Sequence, residues 1–540
     1  MDGAERRGLE QVRRWLGVGR PMRLLVAALL GALLAGYLIF NKPFAKLGVG
    51  QFYVGEMVLA CVLLSLLGRL DEVFVRPCRR SWTFRLIALF WLYGVVRALT
   101  GYTEHGCWAL RDSVVATYSL AAFLAPAVWG DLVPPRDWHG SQFGKMQELP
   151  GRLLLWLLPV ATLGALWTAD VFFGWTMQSL WVGESKADFL ALAVAVAAWL
   201  WAVTALRAAP WQQGGRGDAG TRTAACAGAA VLAVEAFLLV KALPTRTVWL
   251  VLGPLAALTA AAWASTPARR RICLAAGLGL VCAAAFKLRD LPRSFGEFDR
   301  RFELAQVMEF SSDGLEVWLR QHPERYPRLA LTKAIAGGEK AEKERWQSLM
   351  TPDESQFETE AGQRGAHAVE WRAVFWLRCW HYVLHRAPVL GVGFGTNLVN
   401  LLRFTPAWPI YIDNLRLDPP NRTPHCAHVN IFARLGLLGL ALWLAILALV
   451  LWGAMRTLWC YDRFAASGLF PPEKAAACRL RFWDGLAILG VWVIYLWAMT
   501  FGVVLEGPIG GIWFWALTGV LAWWSPVEPE PTATELKIEN

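Results

Sequence analysis

The sequence predicts an all-α, polytopic membrane protein, and three observations predict it. Of the 540 residues, 56% are hydrophobic and only 18% charged, with 31 Trp and a mean hydropathy of +0.38, a balance foreign to soluble globular chains. Apolar runs of about 17 to 25 residues, long enough to cross a hydrocarbon core of about 30 Å, recur about twelve times along the chain. Nothing shows the short alternating strands of a barrel, and a lipid-exposed backbone must satisfy its own hydrogen bonds, so each run is read as a helix.

In chain order the runs lie at residues 22–40, 54–70, 84–99, 113–129, 153–173, 187–206, 224–243, 248–263 and 272–286, then at 428–452, 485–501 and 509–524. The predicted organisation follows from them. Residues 1–286 carry transmembrane helices 1–9, and 287–427 form a large periplasmic loop with amphipathic helices; 428–525 carry helices 10–12, and 526–540 are a cytoplasmic tail. Orientation comes from the short loops, because Lys and Arg collect on the cytoplasmic side. With the arginine-rich N-terminus inside, the basic clusters Arg76/Arg79/Arg80/Arg85, Arg207/Arg216/Arg222, Arg269/Arg270/Arg271 and Arg456/Arg463/Lys474/Arg479/Arg481 all fall inside as well. The net charge of +11 is therefore read as topology, and no nucleic-acid partner is expected. The first apolar run is long and lacks a small-residue cleavage site, so it reads as a span rather than a removable signal. The ten Cys form no spacing framework, and most read as small buried hydrophobes.

The long polar segment holds a second level of order. "GAHAVEWRAVFWLRCWHYVLHRAPVLGVGFGTNL" reads as an amphipathic helix from about Ala366 to Arg386, stopped by Pro388 and followed by a glycine turn. Its aromatic stripes fit packing or interfacial anchoring. "GVGFG", Gly391 to Gly395, lacks the strand and βαβ unit of a dinucleotide loop. Those glycines are expected to let the backbone turn tightly and approach a ligand or the membrane surface.

Titratable groups gather at the outer helix ends: Arg111, Asp112, Lys186, Asp188, Arg372, Arg422, His425 and His428. Ionisable groups at membrane depth are costly and mark pathways or sites, although Lys and Arg near helix ends also snorkel to headgroups. Histidine is a poor anchor and a good proton carrier near neutral pH. His425 and His428 stand three apart, on one face if the helix has begun. Two histidines at that spacing need a further ligand to hold zinc, so no metal is assigned.

"PHCAHVNIFARLGLLG" resembles the C-terminal signature of the O-antigen ligase and O-antigen polymerase superfamily, a His-Asn pair before a helix whose first turns end in a Gly-x-x-Gly step. "RAVFW" and "HRAPVLGVGFG" resemble that superfamily's Arg-x-x-x-Trp helix and its glycine turn, and together the likeness covers Arg372 to about Leu440. Counting back from Gly436 puts the family histidine on His425, with Cys426 where the family has Asn and His428 as the second choice. "GESKADFLALAVAV" is similar to the family's Ser-Arg-Gly step, with Lys186 in place of Arg.

The resemblance implies a bacterial inner-membrane glycosyltransferase that moves glycan from an undecaprenyl-diphosphate-linked donor onto a glycan or lipid A-core acceptor, at the periplasmic face. It implies no cofactor and no required metal. Fixed positive charge suits a diphosphate leaving group, and an acceptor hydroxyl needs a base of near-neutral pKa. His425 and Arg372 are the expected catalytic pair, with Arg422, Lys186, Arg111 and His428 expected to bind the diphosphate. Polymerase and ligase share these motifs and differ in acceptor. The rival reading is a transporter or flippase of lipid-linked glycans, which should show paired, interrupted helices in corresponding halves; the sequence shows no such repeat.

Overall fold

The computed structural model describes residues 20–45, 47–49, 52–130, 142–173, 187–207, 375–376, 379–380, 382–398, 423–467, 471–502, 505 and 507–525. The runs at 224–243, 248–263 and 272–286, most of segment 287–427 and the 526–540 tail lie outside the described residues. What is described is mostly helical, as predicted. Among the described residues, five helices are long and apolar enough to cross a membrane, at 22–40, 82–105, 149–167, 427–466 and 472–500.

The chain begins with α1 (Arg20–Ala45), which leads into a two-residue antiparallel ladder, β1 (Gly48–Val49) with β2 (Phe52–Tyr53). Helix α2 (Val54–Ser65) starts directly after it, the Glu56 carboxylate accepting the Tyr53 N–H at 2.9 Å, a reciprocal half of a capping box. The second apolar run does not continue as one helix. It passes through a 3-10 turn at Leu67–Arg69 and a π-helical stretch at Asp71–Val75 into α3 (Arg76–Arg80).

Helix α4 (Trp82–His105) ends where Gly106 takes φ 56°, a left-handed conformation that glycine supplies without a Cβ clash. The run at 113–129 stays helical over 114–130 but changes helix type on the way. After α5 (Cys107–Asp112) come α6 (Val114–Thr117), a 3-10 turn at Tyr118–Leu120 and α7 (Ala121–Gly130). Then follow α8 (Gln142–Phe173), α9 (Ala187–Arg207), α10 (Ala427–Ala466), α11 (Pro472–Phe501) and α12 (Pro508–Trp524).

Helix α12 is the axis of the molecule. Its residues from Ile509 to Ala522 are all buried, and α1, α7, α8, α10 and α11 pack around it. Lipid is as apolar as leucine, so such helices associate through close packing and hydrogen bonds rather than hydrophobic burial. Both devices are present. Gly519 lets α12 lie against the Ala122 backbone of α7. Indole N–H groups, which usually take an acceptor when buried, bridge helices: Trp513 donates to the Leu34 carbonyl at 2.9 Å, Trp492 to Thr518 Oγ1 at 2.8 Å and Trp199 to the Ala487 carbonyl at 2.9 Å.

Contacts sort the helix ends as the charge alternation does. At one end Arg111 lies over Tyr53, Asp112 meets Gly395 and His428 meets Thr500. At the other, Gly151 lies against Asp484, Gly453 against Ser525, and Tyr461 stacks on Trp524. Helix α9 runs from the first end toward the second, since Ala193 sits beside Gly164 and Leu38, and Trp199 beside Ala487 and Gly490.

Candidate functional site

The polar groups of the first end are organised around a break in α10. Gly436 has φ 66° and ψ −165° inside an otherwise helical run, so the helix is interrupted about two and a half turns after its buried start. In an unbroken helix the N–H groups of Leu437 and Leu438 would donate to the carbonyls of Ala433 and Arg434. Here they donate to Pro388 (2.8 Å) and Val389 (3.3 Å), while the vacated carbonyls of Ala433 and Arg434 accept from Val392 (2.8 Å) and Gly393 (3.0 Å). The glycine turn is thus inserted into the helix ladder, and these backbone groups all keep a partner.

This close approach explains the glycines. A Cβ on Gly391, at φ 68°, would stand 2.5 Å from the Arg434 carbonyl carbon, and one on Gly436 would collide with the Val389 oxygen. The turn approaches another stretch of backbone, where the sequence suggested a ligand or the membrane surface. Two residues of α4 hold it from the side: Arg97 Nη2 donates to the Gly391 carbonyl at 3.1 Å, and the Tyr93 hydroxyl to the Leu435 carbonyl at 2.9 Å.

Beneath the turn lies a buried ion pair that sequence reasoning missed in half. Arg434, fully buried, places Nη2 2.9 Å from Asp112 Oδ2, whose side chain is 7% exposed. The rest of the guanidinium is committed: Nε donates to Asn430 Oδ1 at 3.1 Å, and Nη1 to the carbonyls of Gly393 (3.3 Å) and Thr396 (3.2 Å). Asp112 also accepts the Gly395 N–H at 3.0 Å. With four of its five N–H donors directed at protein acceptors, Arg434 braces the turn from inside the protein. The spacing Asn430/Arg434, i and i+4 on an apolar helix, was the available signal.

The predicted histidines occupy different settings. His428 Nδ1 accepts the Trp443 indole N–H at 2.9 Å, and Nε2 lies 3.1 Å from Thr500 Oγ1. Indole only donates, so Nδ1 carries the lone pair and Nε2 the proton, which points at Thr500. Trp443 lies beyond the break, and this bond ties the first turn of α10 to its long arm. His425 precedes the N-cap, Cys426, and has φ 54°, the one non-glycine residue at positive φ among the described residues. A side chain held in the left-handed region is strained, and such strain collects at functional sites.

Helical residues within 375–386 dock on this start. Phe375, Cys379 and Val383 pack with Cys426, Val429 and Phe432; Trp380 stacks on Phe432 at 3.9 Å, and Trp376 Nε1 donates to the Pro424 carbonyl at 2.6 Å. Cys379 and Cys426 are buried thiols outside any disulfide, and burial pushes the Cys379 thiol up from its ordinary range. Arg111 is exposed on α5, its guanidinium 5.4 Å from the Tyr53 ring and 5.8 Å from Trp108. Lys186, Arg372 and Arg422 lie outside the described residues. The structure therefore brings Arg111's neighbour Asp112, the glycine turn and the first turn of α10 into one assembly, with His425 at its edge.

No protein-family model matches this chain, and no curated protein sequence matches it. The likeness at residues 372–440 rests on its own residues.

Proposed function

We propose that this chain is a membrane glycosyltransferase of the bacterial inner membrane, taking glycan from an undecaprenyl-diphosphate-linked donor to an acceptor hydroxyl at the periplasmic face, as a polysaccharide polymerase or ligase. The observation that carries this is His425: a strained histidine at the mouth of an apolar helix, beside an assembly whose remaining charges are already engaged. Ionisable groups kept in such a place are a functional signature.

In this reading the acceptor oxygen bonds to the anomeric carbon as its proton passes to the His425 imidazole. The bond from that carbon to the diphosphate oxygen breaks, and its electron pair leaves with the diphosphate. Attack from the opposite face inverts the anomeric centre. Arg372, Arg422, Lys186 and Arg111 hold the leaving group and stabilise its growing charge. The engaged tautomer of His428 supports His425 as the base, and His428 then contributes position.

The bundle supports the orientation. Arg207 closes α9 toward one end and Ala427 opens α10 at the other, and an odd number of crossings between them is what the sequence expects from its three apolar runs there.

The test is a transfer assay with lipid-linked donor on membranes carrying His425→Ala. Loss of about a hundred- to ten-thousand-fold in rate, with insertion intact, is the expected result. Full activity with loss in His428→Ala would assign the proton to His428. Full activity in the double variant would remove histidine from the chemistry and favour transport.

A further inference from the structure

The end of the bundle opposite the glycine turn carries a second built feature. Between α3 and the start of α4, Phe74, Val75, Cys78, Arg79 and Arg85 line a cleft of about 470 Å³. Its cations are not balanced by any acid among the described residues. The segment has two acids, and both are taken: Glu72 pairs with Arg69 at 2.8 Å and Asp71 with Arg76 at 3.2 Å. Arg79, Arg80 and Arg85 stay exposed, with no ion pair among the described residues.

Arg85 is held ready. Its Nε donates to the Cys78 carbonyl at 2.6 Å and its Nη2 to the Arg79 carbonyl at 2.9 Å, closing the end of α3, and the guanidinium stacks 4.5 Å from the Trp82 ring. That leaves the Nη1 edge for an outside acceptor. Trp82 is 69% exposed at the start of a membrane-length helix, and Leu64, Leu67 and Leu70 are exposed nearby. Exposed indole and leucine beside arginine is the composition of a bilayer interface.

We propose that this cleft is a binding site for an anionic phospholipid, its phosphate held by Arg79 and Arg85 with the exposed Arg80 at its margin, and its glycerol and upper acyl chains lying on Phe74 and Val75. Charge decides the occupant. A zwitterionic headgroup would leave the three arginines uncompensated, whereas an acidic one neutralises them, and basic pockets between membrane helices take acidic headgroups on these grounds. The site stands apart from the proposed transfer chemistry, at the other end of the bundle.

The experiment uses the full chain in phosphatidylcholine nanodiscs, with phosphatidylglycerol as the probe and native mass spectrometry as the readout. The expected result is retention of phosphatidylglycerol over phosphatidylcholine by about tenfold or more. Arg79→Gln with Arg80→Gln should cut that preference at least about fivefold, and Arg79→Lys with Arg80→Lys should keep most of it. Val75→Trp fills the cleft with every charge intact and should also lower retention. An absence of preference in the wild type, or a preference unchanged in the Gln pair or in Val75→Trp, overturns the site. Displacement of the lipid by millimolar inorganic phosphate would overturn the lipid as occupant.

Discussion

At the scale of single residues, the Arg434–Asp112 pair makes the sharpest demand. Both side chains are out of water, so removing one strands the other as an uncompensated charge, at a cost of about 3–5 kcal/mol. Asp112→Ala should therefore collapse thermal stability in detergent. Asp112→Leu with Arg434→Leu should lose much less than the sum of the two single changes, because it removes both charges together. Cys379 allows a second check. Its thiol is buried and pushed up in pKa, so at pH 8 little thiolate forms and little reagent reaches it. Site-resolved mass spectrometry after maleimide treatment should find Cys107, exposed at the start of α5, labelled and Cys379 spared. Asp112 was visible in the sequence as a charge at a helix end. Arg434 was not singled out, because an arginine in an apolar run reads as snorkelling until its distant carboxylate partner is known.

At the scale of elements, hydropathy located the helices among the described residues and misjudged the continuity of some of them. The run at 428–452 lies within α10, buried from Val429 to Gly436 and beyond that only on the face of Gly439, Trp443, Ile446 and Val450, yet that helix is broken at Gly436 and extends to Ala466. The run at 113–129 stays helical over 114–130 and only tightens to a 3-10 turn at Tyr118–Leu120. A window average responds to how apolar a stretch is and is blind to a single residue's φ, so breaks of this kind leave no mark in it. Gly436→Ala tests the break. Alanine at φ 66° costs about 1–2 kcal/mol in backbone alone, and its methyl collides with the Val389 carbonyl. The variant should lose more than about 2 kcal/mol of stability, and transfer activity should fall with it if the turn positions the site.

At the scale of the whole molecule, alternation of basic loops and helix contacts agree on which ends lie together. Sequence alone supplied that pattern because charge asymmetry and span length act locally, along each loop and each run. The packing around α12 was not legible, since it depends on pairings such as Gly519 with Ala122 that no local window contains. A direct check uses Arg111→Cys and Arg463→Cys with a membrane-impermeant maleimide on sealed, oriented vesicles. Each should react from one face only, and from opposite faces; labelling of both from the same side would overturn the arrangement.

The exchange of hydrogen bonds at the broken helix also fixes how this region comes apart. Val392 and Gly393 are protected by carbonyls of α10, and Leu437 and Leu438 by carbonyls of the turn, so neither partner can open while the other stays closed. The four amides belong to one cooperative opening unit, and in deuterium exchange their protons should be lost together, at one rate, although they come from segments far apart in the chain.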